Sequence, residues 1–65
     1  MKHYLFVEEI SGEQFIVGAA TFGEAQYIAQ GICQDIGEEY HDEYHMVFLD
    51  ELTEEEAEMS GLDEY

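Results

Sequence analysis

The stretch TFGEAQYIAQGICQDIG, residues 21–37, decides the fold, because it has the pattern of a full-length amphipathic helix. Thr21 and Glu24 have the spacing of a capping box, in which the threonine hydroxyl and the glutamate carboxylate each accept a hydrogen bond from a backbone N–H of the first turn. Gly37 stands where glycine most easily adopts a left-handed C-terminal cap. Between them, apolar residues recur at steps of three and four. We therefore predict a helix over residues 22–36, with the apolar stripe Phe22, Ala25, Ile28, Ala29, Ile32, Cys33 and Ile36.

Three apolar segments on either side of this helix predict β-strands. The first covers about residues 2–10 and the second residues 13–20. Ser11-Gly12 between them predicts a hairpin turn, because glycine accepts a positive φ without steric cost. The third segment, residues 44–49, is rich in the aromatic and β-branched side chains that favour strands.

The end of the chain carries the signals of a second, short helix. Thr53 and Glu56 form another capping-box pattern, and Gly61 predicts a stop, so this helix covers about residues 54–59. The predicted order is β-β-α-β-α, an α+β fold in a single domain over residues 1–65. With the first strand central, the three strands form an antiparallel sheet in the order 2-1-3, and the long helix crosses one face.

Alternation along the strands gives this sheet an aromatic face and an aliphatic face. The smaller aliphatic set suits the long helix, which leaves the aromatic set on the open face. Monomers rarely expose so much apolar surface, so either the C-terminal helix or a second copy must cover it. The C-terminal helix offers little apolar surface, and we therefore favour a homodimer. The predicted dimer or partner face consists of Tyr4, Phe6, Phe15, Tyr44, Met46 and Phe48.

The charge is the unusual property of the composition. Seventeen acidic residues stand against Lys2 alone, and the formal net charge is −16. This charge disfavours nucleic acid and anionic membranes as direct partners, and it favours a basic protein surface. The sequence shows neither a secretory signal nor a membrane span, which predicts a cytoplasmic protein. The predicted partner-binding acids are Glu38, Glu39, Asp42, Glu43, Asp50, Glu51, Glu54, Glu55 and Glu58.

No segment has a catalytic or cofactor-binding motif, so we predict a protein without catalytic residues, without a cofactor and without enzymatic activity. His41 and His45 have the histidine spacing of a zincin helix. However, His45 leads into a predicted strand, where residues four apart are separated by about 13 Å. These histidines leave metal binding as a weaker alternative. Cys33 lies on the apolar stripe and is predicted to be a buried hydrophobic residue.

The β-β-α-β plan, with a strand leading directly into a helix that opens Glu24-Ala25-x3-Ala29, resembles the DpnD/PcfM-like family of small proteins. The resemblance covers about residues 4–49 and implies a mobile-element or phage origin without a settled activity. In size and charge the chain is also similar to small acidic phage proteins that antagonise restriction or CRISPR nucleases. We expect a non-enzymatic module that binds a basic, nucleic-acid-binding protein, in its sharpest form a DNA mimic. The alternative is a homodimeric accessory or structural protein whose charge serves solubility.

Overall fold

A computed structural model describes the backbone of residues 1–39 and 46–65, and the side chains of residues 1–35 and 46–65. The three strands form one antiparallel sheet in the order β2-β1-β3. A long helix and a short C-terminal helix accompany it, which confirms the predicted α+β fold and strand order. The elements are β1 (Lys2–Glu8), β2 (Glu13–Ala19), α1 (Phe22–Glu39), β3 (Met46–Leu52) and α2 (Glu54–Ser60).

The hairpin between β1 and β2 has a longer loop than predicted, because β1 ends at Glu8. The Glu8 carboxylate is buried and accepts hydrogen bonds from the backbone N–H groups of Ser11, at 2.8 Å, and Ile10, at 3.2 Å. The Glu8 carbonyl accepts another from Gly12 N at 2.8 Å, and Gly12 has a φ of 74°. The buried Glu8 side chain therefore stabilises the four-residue turn by accepting hydrogen bonds from its backbone.

Two other boundaries differ from the prediction. Helix α1 continues through Gly37 to Glu39. A glycine inside a helix costs only about 1 kcal/mol relative to alanine, so it permits a stop without imposing one. Strand β3 is described from Met46 onward, and it continues beyond the predicted end to include Asp50 and Glu51.

Both helices begin at the predicted caps. Thr21 Oγ1 accepts a hydrogen bond from Glu24 N at 3.2 Å. At α2, Thr53 Oγ1 accepts from Glu56 N at 3.1 Å, and Thr53 N donates to Glu56 Oε1 at 2.9 Å, so the capping box is complete. Gly61 closes α2 with a φ of 72°. A helix of seven residues is too short to persist alone, and these caps stabilise it at both ends.

Helix α1 packs on the aromatic face of the sheet, so the prediction that it covers the aliphatic face is wrong. The fully buried residues of α1 are the small Ala25, Ala29 and Cys33. Ile28 and Ile32 on the same helix are partly buried against the same cluster. Protein interiors are close-packed, so a helix face of small side chains needs large side chains opposite it. The aromatic face supplies that volume. The buried cluster comprises Tyr4, Phe6, Phe15, Val17, Ala19, Ala25, Ala29 and Cys33.

This packing removes half of the predicted dimer or partner face. Tyr4, Phe6 and Phe15 are at most 3% exposed, and they lie beneath the helix instead of on an open surface. Their aromatic rings contact one another and neighbouring rings; those of Phe6 and Phe15, for example, stack with centroids 6.0 Å apart. The apolar surface of these three residues, which was expected to need a second copy, is covered within one chain.

The other three members of that predicted face lie on β3 or just before it. Met46 is partly buried against the aromatic cluster, and Phe48 remains 41% exposed. Tyr44 lies outside the described residues.

The C-terminal part of the chain covers the opposite face of the sheet. Helix α2 packs against β1 and β3 and buries Ala57, while Ile16 on β2 is fully buried. Residues 63–65 then run parallel to β2 along its outer edge. Ile16 N donates to Asp63 O at 2.9 Å, Tyr65 N donates to Ile16 O at 2.8 Å, and Gly18 N donates to Tyr65 O at 2.8 Å. No apolar run in this polar segment predicts the pairing.

The packing of α1 is testable by a substitution that enlarges its buried face. Ala29→Leu places a large side chain against the aromatic sheet face, and we expect the free energy of unfolding to fall by about 1–3 kcal/mol. Gln34→Leu is the matched control, because Gln34 is exposed on the same helix. Urea denaturation of both variants measures the difference. Equal stabilities would contradict the helix orientation described above.

Candidate functional site

The predicted partner-binding acids that the structure describes are all exposed. Asp50 and Glu51 lie in β3, and Glu54, Glu55 and Glu58 lie in α2. These five acids therefore lie on one continuous segment, which consists of the end of β3, the Thr53 cap and α2. The remaining four predicted acids fall outside the described side chains; they are Glu38, Glu39, Asp42 and Glu43.

Little positive charge faces these acids. Lys2 is the only lysine or arginine of the chain, and it is exposed. Among the described residues, His3 Nδ1 contacts the Glu64 carboxylate next to β2, a contact that is an ion pair only when the imidazole is protonated. The carboxylates on α2 are therefore not neutralised by cations of the described residues, and the negative potential of this surface extends into solvent.

Repulsion among these carboxylates predicts a salt-dependent stability. Raising NaCl from about 10 mM to about 150 mM shortens the Debye length from about 30 Å to about 8 Å and screens the repulsion in the folded state. We expect the melting temperature to rise by about 5 °C, which corresponds to about 1 kcal/mol in a domain of this size. Thermal melts followed by circular dichroism measure it. A melting temperature that falls over this range would show that repulsion does not limit stability.

An open hollow of about 570 Å3 lies beside the N-terminal end of α1, next to the edge of the aromatic cluster. Its apolar wall consists of the rings of Tyr4, Phe22 and Phe48. Phe22 and Phe48 meet edge to face with centroids 5.0 Å apart, and Tyr4 meets Phe22 in the same way at 5.6 Å. Phe22 and Phe48 are 40% and 41% exposed. The aromatic cluster therefore continues from the buried core to the molecular surface.

Charged residues of both signs also line the hollow, together with Ala20 and Thr21. Lys2 lies on β1, two residues before Tyr4 and on the same face of the sheet. Glu51 lies on β3 directly opposite Tyr4. The hollow thus combines aromatic surface with one carboxylate and one ammonium group.

A β-bulge in β3 brings Glu51 to this hollow. Leu5 pairs with Asp50 while Phe6 pairs with Phe48, which leaves Leu49 as the extra residue. In a regular strand, residues 48 and 51 would point to opposite faces, but a bulge shifts the alternation by one residue. Glu51 and Phe48 therefore share the aromatic face.

The sequence-based predictions missed the hollow because they placed the long helix on the other face and assumed regular alternation in the third strand. One signal could have revealed part of it. The small stripe of Ala25 and Ala29 requires an aromatic sheet face, and that arrangement brings Phe22 beside Tyr4 and Phe48. Nothing in the local sequence marks the bulge.

No metal centre is evident in the described part of the chain, where no three His, Cys, Asp or Glu residues are arranged to hold an ion. His41 and His45 lie outside the described residues. Metal binding through these histidines therefore stays a prediction.

Cys33 is a buried packing residue, as its position on the apolar stripe indicates. Burial raises the pKa of the Cys33 thiol to about 11, and the negative charge of Glu8 adds to this increase. The thiolate is the reactive form of cysteine, so this side chain is both closed to reagents and almost wholly protonated at neutral pH.

Cys33 therefore serves as a probe of unfolding. We expect the folded protein at pH 8 to react with an aromatic disulfide reagent at least about a hundredfold more slowly than the protein in denaturant, because both burial and the raised pKa protect the thiol. Absorbance of the released thiolate follows the reaction. Fast labelling of the folded chain would show that the thiol is accessible, in conflict with the burial described above.

Comparisons with protein-family models, with curated proteins and with solved structures find no match for this chain. The resemblance to DpnD/PcfM-like proteins thus stays a prediction from the pattern of elements. Within residues 1–39 and 46–65, neither helix is long and apolar enough to cross a membrane.

Proposed function

We propose that this protein is a non-enzymatic binding module whose exposed acidic surface docks on a basic, nucleic-acid-binding protein. The observation that carries the proposal is the exposure of the acids on β3 and α2 in a chain with a single lysine and no arginine. In this role the protein is a DNA mimic, whose carboxylates take the place of phosphates on the partner. We place it in the cytoplasm, in keeping with a phage or mobile-element origin.

The position of these acids on a capped helix favours this function over a purely solubilising role. Glu54, Glu55 and Glu58 lie on a helix that is fixed by a complete capping box and by the left-handed Gly61. Fixed charges lose less conformational freedom on binding than charges on a mobile segment, so more of their interaction energy appears as affinity. A field of one sign also accelerates the approach of a basic partner.

A homodimeric accessory protein is the second candidate, and one observation favours it. Phe48 and Leu49 on β3 are 41% and 44% exposed at the edge of the sheet, and Phe22, which contacts Phe48, is 40% exposed. The net charge of −16 on each copy opposes such an association. Light scattering at high protein concentration and high salt decides it, and a mass of one chain would remove this candidate.

Neutralising the acids of α2 tests the main proposal. The immobilised protein is used to capture basic proteins from a lysate, and a captured protein is then purified for titration. The triple variant Glu54→Gln, Glu55→Gln, Glu58→Gln should bind it about tenfold more weakly at low salt, because each exposed charge contributes on the order of 0.5 kcal/mol. Duplex DNA should compete with the unmodified protein for the same partner.

The matched control removes the same charge elsewhere, through Glu9→Gln, Glu13→Gln and Asp35→Asn, three exposed acids on the hairpin and α1. It should keep most of the affinity. Equal losses in both triple variants would indicate a general effect of net charge without a docking surface. Binding that is insensitive to salt, or that duplex DNA does not displace, would contradict the DNA-mimic proposal.

A further inference from the structure

We infer that the hollow beside the N-terminal end of α1 receives an arginine side chain of the basic partner. The inference rests on the proposed function, and it adds the place and the side-chain chemistry of the contact. It depends on the rings, the carboxylate and the charge balance of the hollow.

The exposed rings offer a surface for a cation. Phe22 and Phe48 stay about two-fifths exposed although Tyr4 and Phe6 beside them are buried, and the two ring centroids lie 5.0 Å apart. Aromatic faces attract cations through the ring quadrupole, and arginine is the commoner partner because its planar guanidinium stacks on a ring. Arginine and aromatic residues also dominate the contacts that contribute most to protein interfaces.

Tyr4 supplies a polar group at the base of the hollow. Its side chain is only 3% exposed and lines the hollow. A phenol hydroxyl can accept a hydrogen bond from a guanidinium N–H, so Tyr4 adds a possible acceptor to the lining.

Glu51 supplies the counter-charge. It faces Tyr4 across the β1–β3 ladder, and its backbone N–H is held by the Asp50 carboxylate at 2.8 Å. A carboxylate beside exposed rings matches the two binding modes of arginine, stacking through the plane and hydrogen bonding through the fork. A lysine ammonium can use the charge but not the planar stacking.

The occupant cannot come from a second copy of this chain. The sequence contains no arginine, and its one lysine, Lys2, already lines the hollow. Two copies also repel each other through their net charge of −16. The guanidinium must therefore belong to a different, basic protein.

The charge of Lys2 predicts the direction in which a substitution changes the affinity for arginine. The Lys2 ammonium lies at the hollow and opposes an incoming cation. Lys2→Gln should thus strengthen binding of an arginine ligand about twofold. A hollow that receives an anion or a carboxylate would instead lose affinity in this variant.

The experiment titrates isotope-labelled protein with the peptide amide Gly-Arg-Gly-Arg-Gly and with its lysine counterpart, which carries the same charge. We expect the arginine peptide to bind about two- to fivefold more tightly, the size of an exposed cation–π contact, and to shift the amide resonances of Thr21, Phe22 and Phe48. Glu51→Gln and Phe48→Leu should each weaken it by a similar factor.

Two control variants separate the hollow from general effects. Asp35→Asn removes the same charge as Glu51→Gln, from the far half of α1, and Tyr27→Leu removes an aromatic ring that is 80% exposed elsewhere on that helix. Both should bind the arginine peptide as the unmodified protein does. Amide spectra of all variants establish that each is folded.

Three results would overturn the inference: equal binding of the two peptides, equal effects of Asp35→Asn and Glu51→Gln, or weaker binding after Lys2→Gln. None of them decides the proposed function, whose test uses Glu54, Glu55 and Glu58 and competition by duplex DNA. If the α2 variant still loses the captured protein while the peptides bind alike, the acidic module stands and the hollow is not its arginine site.

Discussion

The fit between small residues of α1 and large residues of the sheet is the constraint on which the rest of the structure depends. Ala25, Ala29 and Cys33 bring the helix close to a sheet face that is filled with aromatic rings. This choice of face determines what each side of the molecule presents. The aromatic rings form the core, and the hollow lies at the end of the aromatic cluster, beside the start of α1. The opposite face of the sheet is covered by α2.

The element order and both helix starts could be predicted from the sequence because their signals are local. A capping box lies within four residues, and alternation within a strand shows over a similar distance. Which face of the sheet the helix covers is a question of volume between distant residues. The prediction failed there because it matched the helix with the smaller aliphatic set, whereas close packing pairs a stripe of small residues such as Ala29 with large ones such as Phe6.

Residues near the candidate site illustrate the same limit. Exposure of Glu54 and Glu58 follows from their charge and from a short helix that buries only Ala57. The position of Glu51 cannot be derived from the local sequence. The bulge at Leu49 arises from the pairing of β3 with β1, and it reverses the face of the sheet on which Glu51 lies. A charge pattern can therefore indicate what a surface attracts, while the geometry of a contact depends on register.

The parallel pairing of residues 63–65 with β2 has a consequence for how the chain folds during synthesis. The two segments come from opposite ends of the sequence, and Ile16 bonds to Asp63 and Tyr65 only after the whole length between them has left the ribosome. Until then the outer edge of β2 presents unpaired N–H and C=O groups, the part of a sheet most prone to join another chain. Three polar residues thus complete the sheet last, and they close the edge at which a nascent copy is most exposed to aggregation.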